Sequence, residues 1–215
     1  MTETKKLYLD GKFVGEYVAT DNLEKEHEAA IALLREKGLY QETTREQAIF
    51  RQALSFATTA SYLYQRDLTV VPRNGMSVAP FVVNATFALE LYLKTLGLLH
   101  DNELRGHDLL SLFDALPSVA HQTLLSNFAK STSQCGITEM VAFRKEIERL
   151  RSAFLEWRYL HERKRASEIR FAEMIFVMEV LDITCRAHSK LAIARDVLPA
   201  GLIEPPSSVS PVSTD

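Results

Sequence analysis

Cysteine is nearly absent: Cys135 and Cys185 are the only two in 215 residues, too few for a disulfide framework or a four-sulfur metal site. A reducing cytoplasm is therefore the expected compartment. Glycine and proline are sparse, at eight and seven, which excludes collagen-like and low-complexity chains. No charge sign dominates either. With 25 Lys and Arg against 28 Asp and Glu, the formal charge is -3, so any contact with a polyanion needs a local basic patch. Met1 to Lys6 has no apolar stretch of the kind that opens a secretion signal, and the protein is expected to stay where it is made. GxGxxG, GxxxxGK, HExxH and GxSxG are all missing, which removes the common motifs of nucleotide binding and hydrolysis. The one long hydrophobic run, Pro80 to Leu99, is interrupted by Asn84, Glu90 and Lys94. It reads as a buried core helix, with no membrane contact expected.

What is present is an ordinary globular composition, 47% hydrophobic and 25% charged, sufficient for one principal core. Lys6 to Tyr17 predicts a small β-hairpin about Asp10-Gly11, a pair that tolerates the positive φ angles of a tight turn. Everything after it reads as helix. The first helix is expected from a cap at Asp21 or Asn22 to Gly38, and the second from Thr44 to Tyr64 with Ile49, Ala53, Phe56, Ala60 and Leu63 in one seam. A loop over Arg66 to Ser77 precedes a helix from Val78 to His100, a short one from His107 to Leu116, and another from Pro117 to Lys130. Met140, Phe143, Ile147, Leu150, Phe154 and Trp157 define a single helix from Thr138 to Glu162. Phe171, Met174, Met178, Leu181, Cys185 and His188 define a last one from Glu168 to Leu198, expected to pack antiparallel to it. The fold class is mainly α with a small N-terminal β-hairpin: an appendage over 1–40, a bundle over 41–198 and a disordered tail over 199–215.

Reactive side chains cluster most densely at Arg158, His161 and Glu162, followed at once by Arg163, Lys164 and Arg165. A histidine beside an arginine could act as general acid or base on a phosphodiester while the cation stabilises developing negative charge. The plainer alternative makes His161 a core residue and the basic run a solvated helix end. Glu90 and Lys94, one turn apart in an apolar helix, either line a cleft near that segment or form an ion pair on an exposed strip. His100, Asp101, His107 and Asp108 lack a helical ligand spacing and are broken by Gly106, so no metal or other cofactor is expected. His107 is expected to cap or pack at the start of its short helix, and Cys185 to be a small core residue.

Three segments, FALELYLK at Phe87 to Lys94, RGHDLL at Arg105 to Leu110 and FLEWRYLHE at Phe154 to Glu162, together resemble the HEPN family of helical domains over roughly Ser77 to Ala194. The resemblance implies an up-and-down helical bundle, commonly a homodimer, in defence, toxin–antitoxin or RNA-processing settings. Its catalytic members are metal-independent RNases with an arginine followed four to six residues later by a histidine. Here only two residues separate Arg158 from His161, which departs from that pattern. The leading expectation is thus RNA or nucleotide binding without strong catalysis, through Arg158, Arg163, Lys164 and Arg165 with Glu90, Lys94 and His107. The alternatives are a scaffold for a cognate protein partner, and a metal-independent endoribonuclease using Arg158 and His161.

Overall fold

The computed structural model describes residues 3–9, 11–131, 135–151, 153–159 and 168–192. It is mainly helical, a helical bundle with an N-terminal two-stranded antiparallel hairpin. Two compact units divide the chain, Met1–Thr44 and Arg45–Asp215.

In the first unit, β1 (Thr4–Leu9) pairs with β2 (Lys12–Val18). The turn uses Gly11 at φ 75, a conformation that costs glycine nothing. Between Leu7 and Tyr8 the register slips by one, so Val14 bulges and Tyr8 faces Phe13 at 5.7 Å. The helix α1 (Leu23–Glu36) begins at the second of the two caps the sequence offers: Asn22 accepts from the amides of Glu24 and Lys25. It lies close on the ribbon, since a Cβ on Gly15 would meet Leu33 Cδ2 at 3.0 Å. Lys5 Nζ and the Thr20 amide donate to the buried Glu26 at 2.8 Å each.

The second unit is built around α3 (Val78–Leu99), whose inward positions are almost all buried. α2 (Arg45–Leu63) runs antiparallel beside it: Phe50 meets Tyr92, Phe56 meets Phe87 and Tyr64 meets Phe81. The helix α3 is long and apolar enough to cross a membrane, yet most of it is buried as the core helix of the bundle. Thr86 and Thr95 return their hydroxyls to Val82 and Leu91 carbonyls, which satisfies both donors inside that core. Where a loop was expected from Arg66, α2 continues as a wider π-type turn, Tyr64–Leu68. Arg66 there bonds Asp67 at 2.6 and 2.7 Å, and Asp67 also accepts from the Ser77 hydroxyl, which ties the following loop back.

α4 (Leu109–Asp114) and α5 (Ser118–Lys130) close the near side. The predicted single helix over Thr138 to Glu162 is instead two, α6 (Met140–Leu150) and α7 (Ala153–Arg158). At Arg151 the amide bonds Glu148, three residues back, while its guanidinium is drawn to Asp108 at 2.8 Å. The last helix also breaks early. α8 (Phe171–Arg186) gives way to a turn at Ala187 and His188, with α9 (Ser189–Ala192) beyond it. α6 meets α8 through Phe143 and Phe176, with Glu146 near Glu173 and Arg170, the order that an antiparallel pair gives. Cys185 is fully buried, its thiol on the Tyr92 carbonyl at 3.7 Å. The expected tail over 199–215 lies outside the described residues.

Candidate functional site

Glu90 and Lys94 stand one turn apart on α3, and Lys94 Nζ donates to Glu90 Oε1 at 2.7 Å. Such an i to i+4 pair is common on helix surfaces, where it is worth a few tenths of a kcal/mol. This one is not on an exposed strip. Glu90 is 3% exposed and the Lys94 side chain 21%, so the carboxylate is held inside the bundle and must be satisfied there.

The connection after α3 supplies the second partner. Asn102 and Leu104 cross the end of α3 at Gly97, where a Cβ would come within 2.5 Å of the Asn102 carbonyl. Gly106, at φ 95, then turns the chain so that His107 Nδ1 sits 3.0 Å from the same Glu90 Oε1. The His107 side chain stays 71% exposed. Because a carboxylate oxygen accepts, Nδ1 carries the proton in this contact, an assignment made from the hydrogen bond itself. In the neutral ring Nε2 is then the free acceptor. The arrangement fixes an imidazole and an ammonium on one buried oxygen, with the imidazole presented to solvent.

His107, expected to cap or pack at the start of α4, does not cap it. Asp108 does, accepting from the Ser111 amide at 2.8 Å. That amide, and after it Arg151, hold the Asp108 carboxyl below the usual carboxylate range. Arg151 thereby ties the end of α6 beside His107. Sequence reading missed this arginine, which shares a charged face with its neighbours and becomes distinctive only once α4 and α6 meet. Arg105 is near Glu103, which also pairs with Arg45 at 2.5 Å.

The four residues His100, Asp101, His107 and Asp108 do not converge. His100 packs edge-on against His188 at 5.3 Å, and Asp101 lies 3.5 Å from Lys190. Among the described residues no three His, Cys, Asp or Glu side chains are grouped as metal ligands. α7 runs alongside α3, with Arg151 at Asp108 just before it and the Phe154 ring 5.8 Å from Phe87. These contacts direct α7 back toward the N-terminal half of α3. Arg158 ends α7 in backbone; its side chain, together with His161, Arg163, Lys164 and Arg165, lies outside the described residues. Of the site residues expected from sequence, the structure therefore unites Glu90, Lys94 and His107.

No family model, curated protein or solved structure matches this chain.

Proposed function

We propose that this chain is a HEPN-like helical protein, cytoplasmic and homodimeric, that binds RNA or a nucleotide at the Glu90 corner without strong catalysis. A defence or toxin–antitoxin setting follows from the same family resemblance. The observation that carries the reading is the shared oxygen: Lys94 Nζ and His107 Nδ1 both rest on Glu90 Oε1, at 2.7 and 3.0 Å. Lys94 keeps N–H donors beyond the one it gives Glu90, and the His107 ring stands beside it largely exposed. A phosphate oxygen meets such a pair with little ordering cost. The reading also assigns the phosphates of a longer ligand to Arg158, Arg163, Lys164 and Arg165.

The test is fluorescence anisotropy with a labelled single-stranded RNA and, separately, a nucleoside monophosphate. Lys94→Ala with His107→Ala is expected to weaken binding about tenfold or more, and charge reversal at Arg163 and Lys164 to weaken the RNA arm further. Affinities unchanged by the first pair would refute the assignment of this corner.

A second reading, a scaffold for a cognate protein, is favoured by the apolar loop between α2 and α3. Val71 is 81% and Met76 85% exposed there, and exposed apolar side chains gathered in one loop mark contact surfaces. Recovery of one stoichiometric protein partner lost on Val71→Ser with Met76→Ser, and no bound nucleic acid, would decide for it.

A further inference from the structure

A groove of about 610 Å³ lies between α2 and α8, away from the Glu90 corner. That volume is within the range of small-ligand sites. Its lining runs from Leu54 to Gln65 along α2 and from Ala172 to Arg186 along α8, which at the helical rise makes it about 15–20 Å long. Aliphatic side chains, Leu54, Ala57, Ile175 and Met178 among them, form much of the wall.

Charge in the groove is unbalanced. Among the described residues lining it, Arg186 is the one cation, and it is already engaged: Nε bonds Asp182 Oδ2 at 2.8 Å and the guanidinium sits 5.5 Å from the Phe50 ring centre. Glu179, one turn before Asp182, has no hydrogen bond or ion pair among the described residues. Its side chain stays exposed at the groove, and partial loss of hydration followed by the Asp182 carboxylate still pushes its carboxyl upward with no neighbouring cation to offset them. Asp182 Oδ1, in contrast, is buried without a hydrogen bond, and burial followed by the nearby Asp182 raises the Tyr92 phenol on the floor. An anion would be repelled here, so the groove is not a phosphate site.

We propose that this groove binds a linear aliphatic polyamine, an ammonium pairing with Glu179 while the methylene chain lies along the aliphatic wall between α2 and α8. The length, the uncompensated carboxylate and the alternation of acidic and aliphatic lining select this class over a compact or anionic ligand. The proposal is independent of the RNA or nucleotide reading, because it uses none of the residues at the Glu90 corner.

Isothermal titration of the full chain with spermidine tests it, with magnesium chloride as a control of equal ionic strength. Saturable one-to-one binding is expected, weakened about tenfold or more by Glu179→Gln with an unchanged melting temperature. Ser61→Phe, which fills the groove from the α2 side, should abolish it while leaving nucleotide binding intact. Absence of saturable heat would overturn the proposal. So would an affinity that Glu179→Gln does not alter, or one that magnesium reproduces, since either is the behaviour of a diffuse acidic surface.

Discussion

Removing the Glu90 carboxylate strands two partners at once, because Lys94 and His107 share its Oε1. Glu90→Ala should destabilise the protein by about 2 kcal/mol, below the full scale for stranding a buried charge because Lys94 and His107 keep access to water. Urea unfolding measures it, and a loss below about 1 kcal/mol would mean that the pair is effectively solvated. His107→Ala should cost far less, since its ring is largely in water. Asp67 gives a pH signature of its own. Arg66 and then Ser77 hold its carboxyl down to about 2, from the ordinary 3.8. A depressed folded value contributes stability that is complete above 3.8 and disappears as pH falls through about 2. The wild type should therefore lose more stability between pH 5 and 2 than Asp67→Asn does, with urea midpoints across that window as the measurement. Equal slopes would contradict the clasp. Neither carboxylate could be ranked from sequence. Glu90 looks like any i to i+4 surface pair until the bundle closes over it, and Asp67 sits in what reads as a loop.

Gly97 decides whether the α3–α4 connection can lie where it does. A methyl there would meet the Asn102 carbonyl at 2.5 Å and Leu104 Cγ at 2.7 Å, and the carbonyl is backbone that cannot swing away. Gly97→Ala should cost about 2 kcal/mol through this overpacking, and amide exchange over Asn102 to Asp108 should quicken because the loop lifts from the helix. A variant as stable as the wild type, with unchanged exchange, would contradict the close approach. At this scale apolar periodicity was a good guide. While the sequence narrows the cap of α1 to Asp21 or Asn22, the seams of α6 and α8 follow from side-chain spacing and the course of α3 from its apolar run. The breaks did not, because they come from contacts distant in sequence. Arg151 is drawn to Asp108 from 43 residues away. At the end of α8, the His188 ring packs on His100 and accepts from the Lys190 amide at 3.3 Å.

For the molecule as a whole, a formal charge of -3 makes local arrangement decisive for any anionic ligand. The Glu90 corner gathers cations on a buried carboxylate, whereas the α2–α8 groove leaves a carboxylate unanswered. Composition alone could exclude a polyanion-coating surface, but only the fold could separate these two places. The most direct measurement is an NMR titration of the histidine side chains with adenosine monophosphate and with a short single-stranded RNA. His107 resonances should move saturably with both ligands while those of His27 and His121 stay still, and Lys94→Ala should weaken the response. Binding of either ligand that leaves His107 unmoved would contradict the corner as the site.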